Sequence, residues 1–278
     1  MLERADRLRV VLVGTRNPLN IGAAARAMSN FGFLHLRVVN PYAVAFREAR
    51  SAMGAAPLLE NAEEYKSVAD AVADCTLVVG TTSLGHRELQ HSLRRLEQGA
   101  RLIGRELAGH SAPPARPQLA RRGGGRVALL FGAEKTGLSN DDLSHCHWLM
   151  RIPTREQHES MNLGQAVAVC LYELVRNAKQ ASAGEKSGAR RKLGGKDGKR
   201  AADESVASKR ATAAEVERIS TVLLESLHLS GYIKPIAVAS TEERVRRMVR
   251  RLDLSSHDAE LWLGMFRQML WKIREREQ

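Results

Sequence analysis

Three short stretches of this 278-residue chain carry side chains able to do chemistry. In the first, GTRNPLNIGAAARAMSNFG, Asn20 and Gly22 are followed by Arg26, four residues past the glycine and so on the same helical face. A helix opening there would present free backbone N–H groups to a phosphate or carboxylate, with a planar guanidinium one turn further in. Taken alone, a helix cap with a surface arginine explains the same residues. In the second, LLFGAEKTGLSNDDL, Glu134 is the acidic side chain of a loop bracketed by Gly132 and Gly137, where backbone can come close to a ligand. A plain turn with a solvated glutamate is the simpler reading of that stretch by itself. In the third, ESMNLGQAVAVCLYELVR, Ser160 and Asn162 stand ahead of a long apolar run. Capping accounts for Ser160 but leaves Asn162, a poor helix former, unexplained inside the first turn. The triplet HCH at 145–147 suggests a metal, but adjacent strand residues face opposite ways and only two ligands would converge, so no metal is expected. Neither GxGxxG nor GxxxxGK[ST] follows any of the strands, which disfavours a Rossmann nucleotide site and a P-loop.

The elements that must position these residues follow from the apolar patterning. Runs at 9–14, 35–40, 76–81, 126–132 and 147–153 predict strands buried on both faces. Between them lie helical patterns, NIGAAARAMSNFG with Asn20 as N-cap and NAEEYKSVADAVAD. The alternation predicts a parallel α/β sheet, and it puts all three polar stretches at the carboxyl ends of strands, where such sheets bind ligands. The boundaries read as a domain over 1–178, a linker over 179–210 and a helical domain over 211–278. The linker holds ten Lys and Arg against four Asp and Glu, an excess of six that is half of the net +12. It has too little apolar surface to offset the entropy of ordering. Beyond it, Thr212 with Glu215 predicts a capping box, Gly231 a helix end, and Ser255 with Asp258 a further cap. Val245, Met248, Val249 and Leu252 predict a core stripe on the second helix, with Arg244, Arg247 and Arg251 on a solvated face; Trp262, Met265, Phe266, Met269 and Ile273 do the same for the third.

The basic balance points to a polyanionic partner. The helical region is nearly neutral, eleven basic against ten acidic residues, which argues against a helix-turn-helix DNA regulator. Cys75, Cys146 and Cys170 form no CxxC pair, consistent with a reducing compartment, and no apolar run reaches the ~18 residues of a membrane span. A soluble, cytoplasmic protein without membrane contact is expected.

Taken in order, the three stretches resemble the motifs of the SPOUT superfamily in its TrmH-like RNA 2′-O-methyltransferase branch. The first motif stands as Asn20, Gly22 and Arg26; the second as Phe131, Gly132, Glu134, Gly137 and Leu138; the third as Ser160, Met161 and Asn162, with Tyr172 and Glu173 closing its helix. Met161 replaces the usual leucine, a swap that conserves volume. The helical tail resembles that of tRNA methyltransferases acting on nucleotide 32 of the anticodon loop. The resemblance implies a trefoil knot at the C-terminal end of the sheet domain, a homodimer and S-adenosylmethionine as cofactor; nothing in the periodicity indicates a knot. It further implies that Arg26 is catalytic, with Asn20, Glu134, Ser160 and Asn162 around it. Thr81, Thr82, Ser83, Leu130, Gly132, Gly137, Ile152, Ser160 and Met161 would hold the cofactor. Arg16, Arg26, Arg87 and Arg155 would meet tRNA. A ribosomal RNA substrate, or RNA binding without turnover, are the competing readings, and the intact Arg26, Ser160 and Asn162 weigh against the second.

Overall fold

The computed structural model describes residues 5–42, 56–83, 90–109, 125–187 and 209–277. Seven parallel strands form one sheet: β1 (Leu8–Val13), β2 (Leu36–Val39), β3 (Glu63–Tyr65), β4 (Leu77–Thr81), β5 (Leu93–Arg95), β6 (Val127–Phe131) and β7 (Trp148–Arg151). They are ordered β3-β2-β1-β6-β4-β7-β5. The five strands expected from apolar runs are the contiguous middle of this sheet. Both outer strands escaped that reading because they are three residues long and charged, EEY and LRR. Charge and brevity at an edge discourage pairing with another chain. β3 also corrects a helix expectation: NAEEYKSVADAVAD is not one helix but β3 followed by a single turn, Val68–Ala71, capped by Ser67.

Helices in the sheet domain are α1 (Pro18–Phe31), α2 (Ala56–Glu60), α3 (Val68–Ala71), α4 (Leu96–Leu107), α5 (Asn140–Ser144) and α6 (Leu163–Ser187). One face of the sheet carries α1, α4 and α6, whose Ile21, Met28, Ile103, Val167 and Leu171 pack on Val10, Leu12, Leu129 and Phe131. The opposite face buries Val11, Val78, Leu130 and Leu149 under α3, α5 and Ala213. Such two-sided cover is why the strands read as unbroken apolar runs. α1 and α6 approach closely because position 164 is glycine; a Cβ there would lie 2.6 Å from the Cβ of Ala23. The rings of Phe31 and Tyr172 meet edge-on near the other end of the pair.

Three helices follow: α7 (Ala213–Leu229), α8 (Val238–Arg251) and α9 (Ser256–Glu277). The Thr212–Glu215 capping box is present, and the Ser255 hydroxyl accepts from the Asp258 backbone at 3.0 Å. The expected stripes need correction: on α9 Trp262, Phe266 and Ile273 are half-buried but Met265 and Met269 are exposed, and on α8 the departure is larger. Val245 and Val249 are buried, but Met248 and Leu252 are 44% and 43% exposed, whereas Arg247 and Arg250 turn inward. α8 faces α5 of the sheet domain, and that contact is polar: Arg250 donates to the Ser144 carbonyl, Glu217 and His145, while Arg246 bridges Asp141 and Glu217. α6 extends to Ser187, nine residues into the stretch read as linker; residues 188–208 lie outside the described residues. Among the described residues no helix is long and apolar enough to cross a membrane.

Candidate active site

The loops after β1, β4, β6 and β7 all emerge at the carboxyl end of the sheet, beside the point where the chain switches from building outward through β2 to building through β4 and β6. Those after β4, β6 and β7 enclose a cavity of about 430 Å³.

The first loop delivers α1. Its N-cap is Asn17, whose side chain accepts from the Leu19 backbone, with Pro18 in the first helical position. Asn20 is therefore not the cap, as expected above, but lies within the first turn and is free to reach across to the neighbouring loops. The second loop runs from Gly132 to Gly137. Any Cβ at position 132 would fall 2.1 Å from the Gly137 carbonyl carbon, so the loop folds over its own start only because a glycine is there. Gly137 has φ +67 and donates to the Ala133 carbonyl at 2.8 Å, closing the turn. The third loop ends at Asn162, whose Oδ1 accepts from the Gly164 and Gln165 backbones at 2.9 and 3.3 Å. Asn162, not Ser160, caps α6, which resolves the apparent misfit of an asparagine at a helix start: it sits just before the helix, where its oxygen satisfies otherwise unpaired N–H groups.

These three loops are tied by one hydrogen-bonded chain. Glu134 accepts from the Arg16 and Asn17 backbones at 3.3 and 3.2 Å and from Asn20 Nδ2 at 3.2 Å. Asn20 Oδ1 in turn accepts from Asn162 Nδ2 at 2.7 Å. Burial raises the affinity of Glu134 for a proton, but hydrogen bonds from its own N–H, Asn20, Arg16 and Asn17 outweigh that and hold its carboxyl below the usual range. The carboxylate also lies at the amino end of α1, where the helix dipole favours negative charge.

Of the residues the resemblance assigned to the cofactor, Thr81, Thr82, Ser83, Gly132, Gly137, Ile152, Ser160 and Met161 line the cavity. The Thr81 hydroxyl donates to the Leu130 carbonyl at 2.8 Å, and Thr82 N–H donates to Met150, so β4, β6 and β7 end in register at the cavity floor. Leu130 does not line it. Its side chain points to the opposite sheet face and is fully buried in the core with Val78 and Leu149. Phe131 and Leu138 take the place expected for it, and Met150, Leu163 and Ala166 complete the apolar wall. Strand alternation along VALLF contains the signal that separates residue 130 from residue 131. Glu134 sits at the cavity edge, and Arg26 is exposed on α1, with no hydrogen bond or ion pair among the described residues. Arg16 and Arg155 are exposed; Arg87 lies outside the described residues. His145 faces Glu217 and Arg250, while His147 accepts from the Val78 backbone and is held neutral by burial, so the two histidines serve different partners. No group of His, Cys, Asp and Glu among the described residues could hold a metal.

A parallel α/β sheet whose loops close one cavity at its carboxyl end defines a ligand-binding α/β protein. The model of the SpoU rRNA methylase family matches residues 7–172, and the chain belongs to that family. It is 30% identical to the tRNA (cytidine/uridine-2′-O-)-methyltransferase TrmJ of Klebsiella pneumoniae, over 94% of this chain and 95% of the relative. It is 34% identical to an uncharacterized tRNA/rRNA methyltransferase of Haemophilus influenzae, of which it covers 63%. The crystal structure of TrmJ from Z. mobilis ZM4 superposes with a TM-score of 0.71 at 26% identity, covering 94% of this chain and 98% of that one.

Proposed function

We propose that this chain is an S-adenosylmethionine-dependent tRNA ribose 2′-O-methyltransferase acting on nucleotide 32 of the anticodon loop. The observation that carries the reading is the Glu134–Asn20–Asn162 chain, which joins the three motif loops, two of them lining one cavity, with Arg26 exposed on α1. Similarity to TrmJ proteins extends through the helical tail, over 94% of the chain, which favours a tRNA over a ribosomal RNA substrate.

The cavity suits the cofactor. Apolar Leu138, Ile152 and Met161 offer a face for a purine, and the backbone of 132–137 and the hydroxyls of Thr82 and Ser83 offer polar groups for its edges and ribose. When bound, S-adenosylmethionine supplies a methyl group on a sulfonium, a leaving group that needs no acid. The remaining work is positioning the ribose hydroxyl, favouring loss of its proton and excluding competing water. A free guanidinium has a pKa above ~12, too high for an efficient base. Arg26 therefore grips the substrate phosphate with its planar fork and stabilises the developing alkoxide, while the proton leaves to phosphate or water. Ser160, exposed at the cavity rim, positions the nucleotide; Arg16 and Arg155 hold the anticodon stem.

The reading includes the trefoil knot, a cytoplasmic setting and a homodimer. Leu19 and Tyr172, 80% and 55% exposed on α1 and α6, are large apolar side chains that a partner protomer would cover. It also divides the chain into the methyltransferase domain 1–178, the basic linker 179–210 and the RNA-binding helical domain 211–278. Incubating an unmodified tRNA transcript with protein and methyl-labelled cofactor, followed by nucleoside mass spectrometry, tests the reaction. Label on the ribose of nucleotide 32 is expected; label on a base overturns the assignment.

A further inference from the structure

At the opposite end of the sheet from the motif loops lies a second cavity, of about 390 Å³. Its walls are the amino ends of β1, β4 and β6 and the first residues of the helical bundle. Four cations line it, Arg7, Arg9, Arg126 and Lys209, against two carboxylates, Asp6 and Asp74. Both carboxylates are already committed. Asp6 pairs with His35 at 2.6 Å, and Asp74 is clamped by Arg37 at 2.5 Å and Arg126 at 3.1 Å. Burial raises the proton affinity of Asp74, but the hydrogen bonds and charge of Arg37, with help from Arg126, hold its carboxyl at about 2.

The cations are not matched in the same way. Arg9 is only 6% exposed, yet among the described residues it has no carboxylate partner. Its Nη1 donates to the carbonyls of Asp6 and Leu8, and its Nε is buried with no partner among the described residues. Burial and the neighbouring charges of Arg37 and Arg126 work against its protonated state, and the charge of nearby Asp74 only partly offsets them. A guanidinium removed from water in this way is costly unless an anion compensates it. Arg7 makes one long contact, 3.5 Å, to the Leu107 carbonyl, and the exposed Lys209 has no side-chain partner among the described residues. The Thr212 backbone, at the start of α7, is occupied by Glu215 at 2.6 Å and has nothing left to donate. Excess positive charge in this cavity therefore rests on Arg9, Arg7 and Lys209, and one of them is buried with an empty donor.

We propose that this cavity is an anion site that takes a phosphate group, with Arg9 as its buried anchor and Arg7 and Lys209 as its outer arms. The chemistry fits a phosphate of an RNA backbone or a free phosphate alike, and it does not depend on the methyl-transfer reading, because no residue here belongs to the motif loops. The strands between the two cavities rise ~3.3 Å per residue, so a backbone phosphate bound here would belong to a part of the RNA well away from the reacting ribose.

The test titrates inorganic phosphate into the full-length protein by calorimetry, for wild type, Arg9→Met, Lys209→Ala and Arg26→Ala. Phosphate binding to wild type, weakened at least tenfold by Arg9→Met and severalfold by Lys209→Ala, is expected. Lys209→Ala removes only an exposed, unpaired side chain, so the test survives if Arg9→Met does not fold. Absence of binding to wild type, binding unchanged in Lys209→Ala, or binding lost instead in Arg26→Ala would overturn the proposal; the last outcome would put the anion at the motif loops. Repeating the titration with tRNA present separates the sources. Displacement of phosphate, with a salt-dependence slope for tRNA that falls by about 1 in Lys209→Ala, identifies an RNA phosphate. Phosphate that stays bound alongside tRNA identifies a free phosphate ligand.

Discussion

At the scale of single residues, the polarity of the site is set by one carboxylate. Glu134 can only accept, so the Asn20 amide must turn its nitrogen toward it, which leaves the Asn20 oxygen facing Asn162 and forces the Asn162 nitrogen inward. The Asn162 oxygen is then left for the amino end of α6. Two amide orientations, and the placement of two loops, follow from that single acceptor. Asn162→Asp separates capping from the relay. The aspartate still accepts from Gly164 and Gln165, so thermal stability should stay near wild type, while the lost donor opposite Asn20 should lower kcat more than tenfold. Asn162→Ala should lower activity as well and also cost about 1 kcal/mol for the missing cap, read as a fall in Tm. Equal activity of the Asp variant and wild type would remove the relay from the mechanism. Arg26→Lys keeps the charge and loses the fork, so RNA affinity should hold within a fewfold while turnover drops about 100-fold; near wild-type turnover would contradict bidentate phosphate gripping. The residue types of this site are visible in the sequence because Asn, Glu and Arg interrupt apolar or small-residue runs. Their partners are not, since Asn20 to Asn162 is a contact across 142 positions that only the fold creates.

At the scale of elements, the joint between α8 and α5 decides how the bundle is held. Glu217 on α7 receives Arg250 at 2.6 Å and Arg246 at 3.1 Å, and it faces His145 at 3.5 Å. Burial pushes its carboxyl up, but His145, Arg250 and Arg246 outweigh burial and bring it to about 2. A lowered carboxylate contributes stability that is complete above its unfolded value near 4.5 and is lost as pH falls toward 2. Glu217→Gln leaves Arg250 buried without its counter-charge, and should cost about 3–5 kcal/mol at pH 7. Glu217→Gln combined with Arg250→Met removes both charges and should recover much of that loss. A double-mutant cycle by chemical denaturation at pH 7 and at pH 3 checks both claims, and the coupling should shrink at the lower pH. A coupling near zero at pH 7 would mean the joint is held by packing alone. Periodicity could not anticipate this joint. Val245 and Val249 mark the inner side of α8 correctly, yet the arginines one position on look like any solvated face until their partners at 141, 144, 145 and 217 are brought together by the fold.

For the whole molecule, the central five strands and the three-helix bundle were legible because burial on both faces, or along one stripe, imposes continuous or 3.6-residue apolar patterning. The edge strands, the Asn20–Asn162 contact and the docking of the bundle depend on contacts that leave no such period. That docking also bears on cooperativity. Ala213, the first residue of α7, is buried in the core beneath the sheet rather than in the core of the bundle, and its N–H donates to the Cys75 carbonyl at 2.8 Å. The next N–H, of Ala214, donates to Ala73 at 3.0 Å, and Arg210 reaches both Glu106 and Asp253. The entry of the bundle is thus built into the sheet domain at one end while Arg246 and Arg250 grip α5 at the other. Two bodies joined only by a tether unfold independently, whereas bodies sharing a core and a buried ion-pair network lose both together. Calorimetry of the full chain at neutral pH should therefore give a single transition, and Glu217→Gln should split it by releasing the bundle first. Truncation after residue 187 should lower the Tm of the remaining sheet domain, since it strips cover from Cys75, Val78 and Leu143. Two well-separated transitions in the wild type, or an unchanged Tm after truncation, would show the bundle to be a passenger on the sheet rather than part of its fold.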